Sequence, residues 1–217
     1  IQGAPSNFPG TSFQAYFQNS RPGLLLMQGT VYTAFGSICD LGPYRGWVAG
    51  VDAASGALSA LWTTENTGTY SGGGIWQAGG GITSDGAGRM FVSTGNGLSP
   101  ARGPGKPAAG NLAESVIRLQ VNADKSLSAA DFFAPANADS LDVNDQDLGS
   151  GGPVALPDSF GAGTTVPHLM VQVGKDGRVF LLNRDDLGGR GQGPDGTDAA
   201  VQVVGPYPGI WGHPAAW

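Results

Sequence analysis

Three aspartates stand within six positions in the segment DVNDQD (142–147). Carboxylate and amide oxygens at alternate positions are typical ligands of calcium, and a positioned carboxylate also acts as a general base. The segment lacks the central glycine and the final glutamate of a helical calcium-binding loop, which makes a solvated acidic loop the alternative interpretation. The acidic segment is therefore a candidate calcium site.

Lys175 lies in the segment GKDGRVFLLNRDD (174–186), between two stretches that read as strands. Asp176 and Gly177 follow it, and an Asp-Gly pair supplies the positive φ of a tight hairpin corner. A lysine ammonium is also a point charge that can contact a bound anionic group. We therefore predict a hairpin corner with the ammonium in solvent, and a cofactor contact only where a pocket surrounds it.

Trp76 and Asn96 each have two interpretations. Trp76 stands among glycines in GGGIWQAGG, where an indole ring can pack between sheets or form one face of a binding site. Asn96 stands in STGNG, where asparagine tolerates the left-handed conformation of a turn and its amide oxygen can ligate a metal. Both alternatives stay open at the level of sequence.

Residue counts and spacing exclude several other kinds of catalytic site. The chain has a single cysteine, Cys39, so no internal disulfide forms, and we expect this thiol to be a small buried hydrophobe. The two histidines, His168 and His213, stand far apart without the spacing of zinc ligands. No Gly-x-Ser-x-Gly motif of a serine hydrolase occurs.

The composition indicates a folded β protein that binds no nucleic acid and has no membrane span. Among 217 residues the net charge is -6 and the 11 Lys and Arg are dispersed, whereas nucleic-acid binding needs clustered cations. No apolar run approaches the ~18 residues of a transmembrane helix. The 38 glycines and 15 prolines mostly separate short apolar segments, which is typical of strands joined by tight turns.

Strand signals dominate the chain and repeat as a two-strand theme. In each copy a first strand ends in glycine and a second ends in a polar residue, as at Asp52, Gln120 and Asn183. Small β units repeated at intervals of roughly 50–80 residues indicate a propeller, in which neighbouring sheets shield one another. The segments that read as strands are 29–36, 46–56, 88–95, 114–126, 168–189 and 199–205.

The prediction is an all-β chain that forms about three to four four-stranded blades of a β-propeller. Trp62, which follows the turn after a second strand, is expected to dock between neighbouring blades. Neither end of the chain reads as a natural terminus, so we expect a piece of a longer protein, with its remaining blades or a second chain completing the ring. We place blades at about 24–77, 78–149 and 150–205, with partial blades at 1–23 and 206–217.

Three segments resemble the β-propeller repeats of PQQ-type quinoprotein alcohol dehydrogenases and their secreted relatives. They are GWVAGVDAASGALSALW (46–62), GGGIWQAGGGITSDGAGRMFVSTGNG (72–97) and HLMVQVGKDGRVFLLNRDDLGG (168–189). The resemblance runs across nearly the whole chain. It implies a complete ring of seven or eight blades, of which this chain supplies a part, and a secreted, periplasmic or cell-surface location.

Catalytic members of this family hold a quinone between a tryptophan ring and a disulfide of adjacent cysteines, with calcium beside it and an Asp as general base. By this resemblance Trp76 matches the stacking ring, and Lys175 matches a basic residue that reaches the quinone oxygens. Asn96 matches a calcium ligand, with Asp147 beside it as a second. Asp145 and Asp147 lie near the position of the general base.

The resemblance also reveals two departures from the catalytic pattern. One cysteine cannot form a disulfide of adjacent cysteines, and Gln146 stands at the position of the general base, between Asp145 and Asp147. We therefore expect a non-catalytic secreted or cell-surface module without a cofactor, which binds a protein partner or a glycan or gives structural support. The alternative is a PQQ- and calcium-dependent alcohol or sugar dehydrogenase. Aromatic rings in glycine-rich loops favour glycan binding: Tyr44, Trp47, Tyr70, Trp76, Tyr207, Trp211 and Trp217.

Overall fold

Short strands separated by glycine-rich turns fill the computed structural model, which describes residues 1–67, 72–86 and 88–216. Loops of a few residues between successive apolar segments join antiparallel neighbours, because parallel strands need long crossover connections. The strands, in chain order, are β1 Gln18–Asn19, β2 Leu25–Met27, β3 Thr30–Ser37, β4 Trp47–Asp52, β5 Leu58–Thr63, β6 Thr83–Ser84, β7 Arg89–Ser93, β8 Val116–Val121, β9 Leu127–Ala134, β10 Val154–Ala155, β11 Leu169–Val173, β12 Val179–Asn183, β13 Gly189–Arg190 and β14 Gln202–Val204.

These strands form three sheets, each built around a four-stranded meander. The first sheet has the order β1-β3-β4-β5, and β2 pairs with the other end of β3. The second has the order β13-β9-β8-β7-β6, and the third has the order β10-β11-β12-β14. Only β13 runs parallel to its neighbour among the pairs in the described ranges. The all-β prediction is therefore confirmed, and every segment that reads as a strand contains one.

Helix is scarce in the part of the chain that the structure describes. The α-helix α1 covers Ala138–Val143 and is followed by a turn that leads to the carboxylates of the acidic segment. No helix among the described residues is long and apolar enough to cross a bilayer. The short 3₁₀ segments are Ala15–Phe17, Gln77–Gly79, Leu148–Ser150, Asp158–Phe160 and Pro194–Gly196.

The largest hydrophobic core lies between the first and second sheets. It joins Tyr32, Val48 and Trp62 of the first sheet to residues of the second sheet that include Met90 and Ile117. Trp62 is only 1% exposed, so the expectation that this ring docks between neighbouring sheets is confirmed. Burying a side chain of this kind contributes roughly 1.5–3 kcal/mol to the free energy of unfolding.

A second core joins the second and third sheets. Phe91 and Phe133 of the second sheet pack with Met170 and Phe180 of the third, and the Phe133 and Phe180 ring centroids are 5.1 Å apart. The middle sheet thus contributes to both cores. Removing either the first or the third sheet would therefore expose one of the two cores.

The sheets do not follow the predicted blade limits at every point. Strand β1 lies within the predicted partial blade 1–23 but pairs with the first sheet. Strand β13 lies within the predicted blade 150–205 but pairs with the second sheet. Neither pairing decides where one blade ends and the next begins, so the blade limits stay a prediction.

The lone thiol is not the buried hydrophobe that the sequence suggests. Cys39 is exposed, and both Cys39 and Asp40 have positive φ values, 53° and 52°. This corner follows β3 directly and turns the chain away from the sheet. The thiol consequently lies outside the core.

The aromatic residues expected at the surface divide into two groups. Tyr44 and Trp47 are buried, at 8% and 2% exposure, and therefore serve packing. Tyr207 and Trp211 are exposed, at 57% and 64%. Of the remaining three residues, Trp76 is half-buried, and Tyr70 and Trp217 lie outside the described residues.

Candidate functional site

A cavity of about 290 Å³ forms where loops from all three sheets meet, and we call it the Trp76 cavity. All five residues that the sequence singles out line it, although they are spread over a hundred positions of the chain. The lining residues are Arg21, Asp40, Trp76, Ala78, Asn96, Asp145, Asp147, Ser150, Lys175 and Trp211.

Lys175 occupies the corner between β11 and β12, as predicted, but its ammonium is not in solvent. The side chain is 18% exposed; Nζ forms an ion pair with the Asp147 carboxylate and lies 3.0 Å from Asp145 Oδ1. The Lys175 backbone N–H also donates to the Asp147 carbonyl at 3.1 Å. Burial by itself lowers the pKa of Lys175, but the two carboxylates outweigh that effect and raise it.

Asp147, and not Gln146, is the residue of the acidic segment that turns into the cavity. The Asp147 side chain is 10% exposed, whereas that of Asp145 is 76% exposed at the rim. Gln146 is exposed and does not line the cavity. The reason is local: α1 ends at Val143 and Asp145 has a φ of 52°, which reverses the chain before Asp147.

Asn96 follows β7, lies at a bend in the chain and forms part of the cavity wall. Its Nδ2 donates to Asp145 Oδ1 at 2.9 Å, and its backbone N–H donates to Asp147 Oδ1 at 2.8 Å. The amide oxygen Oδ1 is buried and accepts no hydrogen bond from any described residue. A buried oxygen of this kind loses solvation without a compensating partner, which marks it as a possible ligand atom.

The Trp76 ring is half-buried and packs against backbone that only glycine allows. A Cβ on Gly36 would lie 2.6 Å from the ring, one on Gly74 would lie 2.8 Å from it, and one on Gly95 3.0 Å. The glycines on both sides of the site therefore let the indole lie flat against the main chain. Arg21 Cζ lies 5.8 Å from the ring centroid, within the range of a cation–π contact.

Besides Ala78, three polar cavity residues were missed by the sequence reading: Arg21, Asp40 and Ser150. None belongs to a motif, and each reaches the cavity only through the folding of its loop. Trp211 carried a partial signal, because it stands among the aromatics of glycine-rich loops. Together the ionised side chains place two positive and three negative charges at the cavity.

The groups at the cavity that could ligate a metal are the carboxylates of Asp40, Asp145 and Asp147 and the amide oxygen of Asn96. Within residues 1–67, 72–86 and 88–216, no group of three or more His, Cys, Asp or Glu side chains is arranged to hold a metal ion. Cys39 adjoins Asp40, which lines the cavity, but it is the only cysteine in the chain. This chain therefore supplies no pair of cysteines for a disulfide opposite Trp76.

A larger cavity of about 430 Å³ lies elsewhere, beside Trp62 and Asn66. Its lining contains serine, asparagine, alanine and leucine but no ionisable side chain. It also contains none of the five candidate residues. Volume alone therefore does not decide the site, and the convergence of polar and aromatic groups favours the Trp76 cavity.

No protein-family model matches this chain, and no curated protein sequence matches it. Solved structures do match. One is the quinohemoprotein alcohol dehydrogenase ADHIIG from Pseudomonas putida HK5, with a TM-score of 0.56 and 14% identity over 87% of this chain and 28% of that one. The quinohemoprotein alcohol dehydrogenase from Comamonas testosteroni also matches, with a TM-score of 0.52 and 16% identity over 86% of this chain and 28% of that one.

A europium-containing methanol dehydrogenase is similar to the chain to the same degree, with a TM-score of 0.55 and 15% identity over 86% of this chain and 34% of that one. The chain thus spans about a third or less of these proteins. At such low identity the likeness concerns the fold alone. The chain has the β-propeller fold of PQQ-type quinoprotein alcohol dehydrogenases, and its three sheets form a partial propeller.

Proposed function

We propose that this chain is a non-catalytic, ligand-binding β-propeller module, and that the Trp76 cavity is its binding site. The observation that carries the proposal is the convergence of Trp76, Asn96, Asp147 and Lys175 from separate loops into one cavity. Loops positioned by a rigid sheet scaffold are the usual place for binding residues. Packing alone does not require an aromatic ring, an unpartnered amide oxygen and an ion pair at one place.

The chemistry of the lining favours a neutral ligand rich in hydroxyl groups, such as a glycan. Trp76 and Trp211 offer aromatic surface for the apolar face of a sugar ring, and the carboxylate and amide oxygens accept hydrogen bonds from hydroxyl groups. An anionic ligand is less suitable, because Lys175 is already paired with Asp147 and Asp145.

A binding role is favoured over acid–base catalysis by the partners of Asp147. One oxygen accepts the Asn96 backbone N–H, and the other pairs with Lys175. A general base has to offer a free lone pair to the proton that it removes. At Asp147 the Asn96 N–H and the Lys175 ammonium already occupy one lone pair on each oxygen, so a substrate proton would compete with both.

The same proposal includes a location and further partners. A secreted, periplasmic or cell-surface location suits a glycan-binding module of this fold. The remaining blades or a second chain would complete the ring and cover the exposed strands at its ends. A protein ligand is the alternative occupant of the site; nucleic acid is disfavoured by the net charge of -6.

The test is a titration of the chain with neutral saccharides by isothermal calorimetry, after selection on a glycan array. Trp76→Ala should weaken binding at least tenfold, because it removes the stacking surface. Tyr207→Ala is the matched control, since this exposed aromatic does not line the cavity. Unchanged affinity in Trp76→Ala, or no binding by any saccharide at millimolar concentration, would contradict the glycan proposal.

One observation favours a second candidate, a PQQ-dependent oxidoreductase: the buried, unpartnered Asn96 Oδ1 suits a calcium ion. The fit is partial. Trp76 would support one face of the quinone, Asn96 and Asp147 would hold calcium, and Lys175 would contact the quinone, whereas no disulfide can cover the second face. When bound, the quinone would accept two electrons from an alcohol or a sugar.

Incubation with PQQ and calcium chloride, followed by gel filtration, discriminates between the two candidates. Quinone absorbance that stays with the protein, together with dye-linked oxidation of alcohols, would replace the binding proposal with the oxidoreductase. Loss of the quinone on the column would remove the oxidoreductase. Asn96→Asp is a useful companion variant, because an added carboxylate should strengthen calcium binding if the ion is held there.

A further inference from the structure

The wall of the Trp76 cavity at residues 96–98 is held in an unusual way. Three successive backbone N–H groups each donate to a different carboxylate, and the carboxylates come from two separate parts of the chain, Glu65 and the acidic segment 142–147. The bonds are Asn96 N to Asp147 Oδ1 at 2.8 Å, Gly97 N to Asp142 Oδ1 at 2.7 Å, and Leu98 N to Glu65 Oε1 at 2.8 Å. We call these three carboxylates the carboxylate clamp.

The stability of the fold does not by itself explain why carboxylates hold these three N–H groups. Backbone carbonyls or water satisfy the N–H groups of most turns, whereas burying carboxylates close together carries a desolvation cost. Glu65 is fully buried, and its second oxygen, Oε2, has no partner among the described residues. A costly arrangement beside a binding cavity indicates that the position of the held segment matters.

The main chain of the held segment is also tightly packed. Gly73 N donates to the Asn96 carbonyl at 2.6 Å, and a Cβ on Gly97 would lie 2.5 Å from Glu65 Oε1 and 2.6 Å from Gly73 N. Glu65 and the main chain at Gly73 therefore leave no room for a side chain at residue 97. The segment's only side chain in the cavity is that of Asn96.

We infer that Glu65 and Asp142, which do not line the cavity, are positioning residues that hold residues 97 and 98 so that Asn96 faces the ligand. The effect on ligand affinity rests on the proposed function; the effect on the geometry of Asn96 and Trp76 does not. Asp147 is the member of the clamp that also lines the cavity.

The charged groups around Glu65 define which variants are informative. Arg45 Nη1 donates to the Glu65 carbonyl at 3.1 Å, and the Asp142 carboxylate faces it from α1. Tyr44 also lies within electrostatic range. Burial raises the pKa of Glu65 to about 7, against the opposing effects of the Leu98 N–H and Arg45. Glutamine keeps the acceptor oxygen for Leu98 without the charge, so Glu65→Gln is the conservative variant.

The experiment compares Glu65→Ala, Glu65→Gln and Asp142→Ala by ¹H–¹⁵N NMR of the whole chain. The reporters are the Asn96 side-chain amide and the Trp76 indole N–H. Both alanine variants should move these resonances, and Glu65→Gln should restore them. Asp131→Asn is the matched control, because Asp131 is also fully buried and accepts a backbone N–H, that of Leu187 at 3.0 Å. The control should leave both reporters in place.

A second measurement gives the affinity for maltose, cellobiose and lactose as neutral probes. The alanine variants should bind the best of these about tenfold more weakly, as expected for one lost positioned hydrogen bond, and Glu65→Gln should stay within twofold of the unaltered chain. If the unaltered chain binds none of these three probes, the NMR reporters alone decide the clamp, and the glycan proposal is decided by the saccharides selected on the array. If Glu65→Ala does not fold, Asp142→Ala decides. Reporters that stay in place in the folded alanine variants would overturn the inference.

Discussion

Glu114 is a fully buried carboxyl behind the Trp76 cavity. Its Oε2 accepts the Leu148 N–H at 2.7 Å, and its Oε1 has no partner among the described residues. Burial, followed by the nearby Asp147 and Asp142 carboxylates, raises the pKa of Glu114 to about 9. The folded chain therefore binds this proton more tightly than the unfolded chain, in which the pKa has its ordinary value of 4.5.

This difference predicts the direction of a pH effect. The stabilising contribution of Glu114 is complete below a pH of about 4.5 and is lost as the pH rises towards about 9. Over that interval the titration of Glu114 should lower the free energy of unfolding of the unaltered chain by about 1.4 kcal/mol per pH unit. Glu114→Gln has no titrating group at this position, so its free energy of unfolding should fall less steeply by that amount. Urea unfolding at several pH values measures both slopes. Asp195→Asn, at an exposed carboxylate, is the control; equal slopes in Glu114→Gln and the unaltered chain would contradict the prediction.

The residue types at the cavity could be predicted from the sequence, but their directions could not. The sequence singled out Trp76, Asn96, Asp147 and Lys175, and the fold brings all of them together. It placed the Lys175 ammonium in solvent because the hairpin corner is a local pattern, whereas the Asp147 partner comes from another loop. Arg21 reaches the site only by long-range packing, for which a single sequence contains no local signal.

At the scale of elements, most of the longer strands were predictable, but the long strands β5 and β9 were not, and neither were the short strands β1, β2, β6 and β10. Strand β5 was hidden because its Leu-Ser-Ala-Leu-Trp-Thr sequence is buried along its second half instead of alternating. Strand β9 contains a bulge opposite Arg118 and Leu119 and a buried Asp131, both of which interrupt the pattern of apolar residues. Regular alternation identifies a strand with one solvated face, and strands packed on both faces lack it.

The corner between β11 and β12 offers a prediction at this scale. Gly177 has a φ of 78°, and a Cβ at this position would collide with the Tyr207 carbonyl. Gly177→Ala should therefore lower the free energy of unfolding by the roughly 1 kcal/mol of left-handed strain plus the cost of moving the 205–209 segment. Urea denaturation measures the loss, and Lys175 should lose part of its contact with Asp147.

Gly56→Ala is the matched control for that substitution. Gly56 has nearly the same φ, 73°, but no atom lies within 4 Å of an added Cβ. It should lose only the roughly 1 kcal/mol of backbone strain. Equal losses in the two variants would show that Gly177 is needed for its φ alone and not for the close approach of Tyr207.

At the scale of the whole molecule, the middle sheet decides how the chain unfolds. Its residues complete the core with the first sheet around Trp62 and the core with the third sheet around Phe133 and Phe180. A propeller blade is too small to bury both of its faces alone, so each sheet depends on its neighbours. The stability of the partial propeller therefore depends on the contacts between its neighbouring sheets.

Phe133→Ala tests this coupling. The substitution should lower the free energy of unfolding by about 3–5 kcal/mol, because it opens a cavity against Phe180 where the second and third sheets meet. If the sheets unfold together, the fluorescence of Trp47 and Trp62 in the first sheet, measured with Trp76, Trp211 and Trp217 replaced by phenylalanine in both chains, should report the same lowered midpoint as circular dichroism of the whole chain. Leu58→Ala, at a partly exposed leucine of β5, should change the midpoint little. A tryptophan transition that stays in place while the circular dichroism midpoint falls would mean that the first sheet unfolds independently, since the core around Trp62 would then be stable without the third sheet.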